Sequence, residues 1–160
     1  MLQTTPKPEA VELSADILLE LAESIWSSLL ELDIQRSNDP VTEWPRDQPL
    51  LTGRVAIDGD WQGSILLVCP KAIACKAAAA MFGVSPSEVA KTDLSDAMGE
   101  LTHMLSGNLK SLLPTPCRLS RPSVGEGYNI TTEERIMGQV FLRSEGLPLQ
   151  IILFEREKKS

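Results

Sequence analysis

Asp93-Leu94-Ser95-Asp96-Ala97-Met98-Gly99-Glu100-Leu101-Thr102-His103-Met104-Leu105-Ser106-Gly107-Asn108-Leu109-Lys110 is the stretch from which the rest of the chain can be read. Wound as a helix at about 100° per residue, it aligns Leu94, Met98, Leu101, Leu105, Leu109 and the following Leu112 as one apolar stripe. Asp96, Glu100, His103 and Gly107 fall opposite, within roughly 60° of one another. A helix buried by its leucines would then show two carboxylates, an imidazole and a bare glycine outward. Gly99 and Gly107 each cost about 1 kcal/mol against alanine inside a helix. On or beside the polar row, each lets another molecule come close. The ordinary reading of such a row is a solvated outer face. With Asp93 as N-cap, Asp96 would sit at the third helical position, where free amides and the helix dipole favour an acid in any case.

Around this helix the chain is that of one globular domain. Its 160 residues suffice for a real core, and the net charge of −7 comes without a basic cluster. An acidic surface repels phosphate backbones, so nucleic acid is not an expected partner. No apolar run is long enough to span a membrane, and residues 1–13, with Pro6, Lys7, Pro8 and Glu9, lack a signal-peptide core. The expectation is a cytoplasmic protein with a flexible leader (1–13), one domain (14–156) and a charged tail (157–160). Cys69, Cys75 and Cys117 are odd in number, form no CxxC pair and read as reduced thiols. The single histidine, His103, has no neighbouring cysteine, so no zinc or other metal site is expected. A serine or cysteine hydrolase would need His103 as base and an elbow motif the chain lacks.

The remaining elements follow from periodicity. Ser14 is a candidate N-cap for a helix to about Asp33, with Leu18, Leu21, Ile25, Leu29 and Leu32 inward. Leu19, Trp26 and Leu30 form a second apolar flank, facing another helix or another subunit. Residues 35–49 are polar and proline-broken, a loop. Thr52 to Asp58 and Gln62 to Cys69 read as strands around Asp58-Gly59-Asp60. Lys71 to Met81 is an alanine-rich helix closed by Gly83, and Ser85 to Lys91 a turn or short helix. Cys117 to Arg121 suits a strand and Pro122 to Gly127 a turn-rich link. Arg135 to Arg143 and Leu149 to Arg156 form a final hairpin around Ser144-Glu145-Gly146.

The two halves echo each other. Asp16, Glu20 and Glu23 of the first helix correspond to Asp96, Glu100 and His103 at a constant offset of 80 residues. Each helix is followed by a hairpin, Gly53-Arg54-Val55-Ala56-Ile57 with Ile65-Leu66-Leu67-Val68, then Gly138-Gln139-Val140-Phe141-Leu142 with Ile151-Ile152-Leu153-Phe154. The expected fold is α+β: duplicated αββ units with the helices on one face of an antiparallel sheet. The long terminal hairpin leaves an edge strand that a homodimer would cover.

Glu100-Leu101-Thr102-His103-Met104-Leu105-Ser106-Gly107-Asn108-Leu109-Lys110 resembles the signature helix of the CheC/CheX/FliY family, E-x-x-N-M-hydrophobic-x-G with a lysine soon after. Asp96 matches the acidic or serine position four residues before the glutamate. Pro122-Ser123-Val124-Gly125-Glu126-Gly127 is similar to the glycine-rich P-[ST]-V stretch that follows this helix in CheX. The resemblance implies a phosphatase acting on the aspartyl phosphate of a CheY-like response-regulator receiver, in chemotaxis or another two-component pathway. It implies that Glu100 pairs with the receiver's lysine, that the residue at 103 positions the attacking water, and that Asp96, Gly107 and Lys110 contact the receiver. It implies no cofactor of the chain's own, because the receiver supplies Mg2+. An acyl phosphate is already activated, so an aligned water and charge neutralisation are the main requirements.

The sequence departs from that pattern at one decisive position, with His103 where the family has asparagine. Histidine can hold a water through one ring nitrogen, or attract phosphoryl oxygens as imidazolium, but its ring is larger than a carboxamide. A misplacement of about 1 Å can cost on the order of a hundredfold. In the first half the corresponding residue is Glu23, whose charge repels a phosphoryl group, so Asp16, Glu20 and Glu23 read as a degenerate second site. Two alternatives stand beside the enzyme. One is a non-catalytic module of the same fold that binds a receiver or a flagellar-switch protein. The other is a sensor domain with a ligand between its halves, for which no positive feature speaks.

Overall fold

The structure, a computed structural model, describes residues 8–37, 44–113, 116–128 and 134–156. Its first helix, α1 (Pro8–Ile25), begins earlier than a Ser14 cap would allow. Proline is pre-organised for the first helical position. Residues 8–13 of the expected leader are therefore helical, and residues 1–7 and the expected tail (157–160) lie outside the described residues. The helix also stops sooner as an α-helix, passing into a π-turn over Trp26–Leu30. There Ser27 Oγ and Ser28 Oγ donate to the carbonyls of Glu23 and Ser24, a bonding that competes with the regular ladder. Glu31, with a φ of 53°, ends the element. Of the second apolar flank, Trp26 and Leu30 are buried within this chain, and the Trp26 indole donates to Ser144 Oγ at 3.1 Å.

Among the described residues a seven-stranded antiparallel sheet carries the helices. Its strands are β1 (Gln35–Arg36), β2 (Leu50–Gly59), β3 (Gly63–Pro70), β4 (Cys117–Leu119), β5 (Ser123–Glu126), β6 (Glu134–Ser144) and β7 (Leu147–Arg156). The order is β1-β6-β7-β3-β2-β4, with β5 also on β2. Both long hairpins expected from the sequence are present, and they join through β3 and β7, Leu66 opposite Ile152. Glu145 and Gly146 turn the second hairpin with φ of 52° and 76°, the positive pair that a tight two-residue turn of this hand requires. The stretch read as a turn-rich link is in fact β5, which pairs with β2 from Leu51 to Arg54.

The helix α2 (Lys71–Phe82) closes at Gly83 as expected, and Pro86–Glu88 is a short 3-10 turn. The helix α3 (Lys91–Lys110) and α1 both lie on one face of the sheet, in the expected layer order. They are exchanged, however: α1 packs on β6 of the second half and α3 on β2 of the first. Between helices and sheet lies the main core, with Leu18, Trp26, Val55, Leu67, Met98, Leu101, Leu105 and Ile151 among its members. Leu66, Ile152 and Phe154 form a second cluster on the other face, no more than 1% exposed. Beside it Tyr128 Oη donates to Gln150 Oε1, and the Trp44 and Tyr128 rings meet at 6.0 Å. The Glu134 carboxylate, itself buried, accepts from Arg54 and from Ser64 Oγ, tying the first strand of each hairpin together.

Among the described residues no helix is long and apolar enough to cross a membrane, and no group of histidine, cysteine or carboxylate side chains could hold a metal ion. The three cysteines are free, Cys69 and Cys117 being buried and Cys75 half-buried.

Candidate functional site

The site is built on the outer face of α3, and the packing beneath it explains why that face is outward. Leu94, Met98, Leu101, Leu105 and Leu109 are all buried, as the stripe predicts. Leu112 departs from it and is 57% exposed, because α3 ends at Lys110 and the chain turns away. At the N-terminus the cap is Ala90 rather than Asp93. Asp93 stands at the third position, and its carboxylate accepts the Ala90 amide at 2.9 Å. Asp96 consequently lies a full turn inside the helix, beyond the first-turn position that would explain an acid by helix-end electrostatics alone.

One close approach fixes the helix. A Cβ at Gly53 of β2 would stand 2.1 Å from Thr102 Oγ1 and 3.2 Å from the Met98 carbonyl oxygen. Thr102 is fully buried, its hydroxyl donating to Met98 O at 2.7 Å. With Thr102 held down on the strand, Asp96, Glu100, His103 and Lys110 are all exposed and Gly107 half-buried. From Asp96 to Lys110 the row runs about 21 Å along the axis. Among the described residues no hydrogen bond or ion pair engages these four side chains.

The two glycines play different parts. Gly99 is buried, and a Cβ there would lie 3.5 Å from Pro122 Cγ and 3.8 Å from Val124 Cγ2. The chain's own approach to β5, and not a second molecule, fills that notch. Gly107 is the open one, with nothing within 4 Å of an added Cβ. The wall at Pro122–Val124 was hidden in the sequence, although its P-S-V signal was visible. Further along the same flank an open cavity of about 370 Å³ is bordered by Lys71, Lys91, Leu94, Ser95, Val124 and Glu126.

The corresponding row on α1 is also exposed at Asp16, Glu20 and Glu23, but Asp16 is engaged: Arg36 Nη1 of β1 donates to its Oδ1 at 3.0 Å. The two rows are thus chemically distinct, one carrying an imidazole and unpaired carboxylates, the other carboxylates alone with one neutralised.

Residues 51–143, more than half of the chain, match the family described as chemotaxis phosphatase CheX. The chain belongs to the CheX family. Solved structures agree in fold. The chemotaxis protein CheX from Vibrio vulnificus is 18% identical, with a TM-score of 0.73 over 96% of this chain and 100% of that one. CheX from Desulfovibrio desulfuricans is 19% identical, with a TM-score of 0.66 over 89% of this chain and 98% of that one. CheX from Borrelia burgdorferi, solved as a CheX-CheY-BeF3-Mg complex, is 13% identical, with a TM-score of 0.64 over 90% and 98%. The chain matches no curated protein. Membership in the CheX family places the exposed Glu100 and His103 on a chemotaxis phosphatase fold, with the core side of their helix buried as a CheX-like sheet packing demands.

Proposed function

We propose that this protein is a phosphatase of the aspartyl phosphate on a CheY-like receiver, with α3 as the docking helix. The observation that carries the proposal is the pairing of Glu100 and His103 one turn apart, exposed and unpartnered, on a helix whose opposite face is locked into the core. Support comes from the family and from the Borrelia CheX structure, which contains CheY. In this reading Glu100 meets a cation beside the receiver's phosphoryl group, and His103 faces the phosphorus from the position where the family has asparagine. Asp96, Gly107 and Lys110 line the contact, and the receiver brings Mg2+. On α1, Glu23 would face the phosphoryl group with like charge, and Asp16 is occupied by Arg36, so that row is inactive.

Receivers of the same genome, loaded with a small phosphodonor, test the proposal. The protein should accelerate loss of phosphate from at least one of them, and Glu100→Ala should abolish the acceleration while leaving thermal unfolding within about 0.5 kcal/mol, as for an exposed side chain. No acceleration on any receiver would overturn it. The second reading, a module that grips a receiver or flagellar-switch protein without turnover, is favoured by one fact. Among the described residues nothing fixes the tautomer of the His103 ring. Binding without acceleration would select it.

A second copy belongs, in the same reading, on β6. Among the described residues β1 pairs only with Arg143 and Leu142, leaving the edge toward Glu134 open with Ile136 45% exposed. Sedimentation should show a dimer that Ile136→Lys weakens; a monomer at all concentrations would refute this pairing.

A further inference from the structure

We infer that His103 is itself a phosphoryl acceptor, so that the aspartyl phosphate passes through a phosphohistidine on α3 before release. The inference rests on the receiver-docking reading above and changes the attacking atom. Histidine is one of the few side chains that form covalent intermediates. His103 carries the lone imidazole of the chain, and it is exposed in mid-helix, between the turns that hold Gly99 and Gly107.

Three observations favour direct attack over water-holding. A histidine that activates water is held by a second group on its other ring nitrogen. Among the described residues His103 has none; Ser106 Oγ donates to the His103 backbone carbonyl at 2.7 Å and leaves the ring free. The outer ring nitrogen also stands one bond further from the backbone than a carboxamide nitrogen, which extends its reach toward a docked phosphoryl group. Reacting atoms need to approach to about 3–3.5 Å, and the longer reach of the ring helps the nitrogen close that distance. Finally, the open space over Gly107, one turn on, leaves room beside the ring for the phosphoryl oxygens. The α1 row offers only carboxylates at these positions, so no second imidazole acceptor exists there.

The step balances without an added reagent. The lone pair of the unprotonated ring nitrogen attacks phosphorus. An N–P bond forms, the P–O bond to the receiver's carboxyl breaks, and the carboxylate departs with the electron pair. The other ring nitrogen keeps its proton. Water then attacks phosphorus, the N–P bond breaks with its pair returning to nitrogen, and inorganic phosphate leaves with both hydrogens of the water.

The test uses the full chain and receivers of the same genome labelled with [32P]acetyl phosphate, sampled by rapid quench from milliseconds to hours. Label on this chain that is acid-labile and alkali-stable, and that falls about tenfold or more in His103→Asn, is the expected result. Faster loss of receiver phosphate with no label on this chain at any time overturns the inference and leaves the phosphatase reading standing. Alkali-labile label, or label that persists in His103→Asn, also overturns it. Neither label nor faster loss overturns both.

Discussion

Gly53 of β2 lies directly under Thr102 of α3, so closely that a Cβ on the glycine would stand 2.1 Å from the threonine hydroxyl oxygen. Strand backbone and helix side chain share one space, and this contact sets the height and rotation of the helix that presents Glu100 and His103. Gly53→Ala should therefore push α3 off the sheet and destabilise the fold by about 1–3 kcal/mol, as overpacked cores do. Thr102→Ala removes the clashing oxygen and should recover part of that loss in the double variant. A urea-unfolding double-mutant cycle measures the coupling, and additive losses would show that the two residues do not compete for space.

Gly107 faces open space and has ordinary helical backbone, so its lack of a side chain serves no packing purpose in the isolated chain. Gly107→Ala should stabilise the protein by about 0.5–1 kcal/mol. Gly107→Arg should be similarly stable yet bind a phosphorylated receiver more weakly, because the side chain would fill the gap beside His103. Thermal unfolding and receiver titration separate the two effects.

The core gives a pH signature. Burial pushes the Cys69 thiol up to about 12 from 9.0, next to the Met98 sulfur at 3.5 Å. The folded thiol keeps its proton where the unfolded one loses it, so this stability is complete below pH 9 and is lost as pH rises toward 12. Tyr128, raised by burial against the opposing pull of its bond to Gln150, acts in the same direction above its ordinary range. Cys69→Ala should be the less stable protein at pH 8, through its cavity, and the gap to wild type should narrow by about 1.4 kcal/mol by pH 10. Urea midpoints of both proteins at the two pH values check this, since the Tyr128 contribution is common to both and cancels.

The parts legible in the sequence were those governed by local periodicity. The stripe Leu94, Met98, Leu101, Leu105 and Leu109 fixed the buried side of α3, and with it the outward row. Alternating apolar runs marked both hairpins, and Glu145-Gly146 the turn between the last two strands. What was missed depends on partners distant in sequence. Pro122 to Gly127 has the composition of a turn, and it is a strand only because β2 offers it a free edge. Gly99 reads as a gap for a visitor, yet Pro122 and Val124 occupy it. Leu112 fits the stripe by phase but lies past the end of the helix. The π-turn at Trp26–Leu30 follows from serine hydroxyls bonding back to carbonyls, a choice no hydrophobic pattern records. The second buried face, with Leu66, Ile152 and Phe154, could not be foreseen either, because apolar runs on a strand do not say which side of the sheet is covered.

The exchange of helices between the halves has a consequence for how the protein can be divided. With α1 roofing the later hairpin and α3 the earlier one, each half lends its lid to its sibling. A cut within the 3-10 turn at Pro86–Glu88 would leave two fragments, each with its greasy hairpin bare. Neither should be soluble by itself, and the pair should regain shape only when mixed. An ancestor of half the length would have needed a twin to trade with.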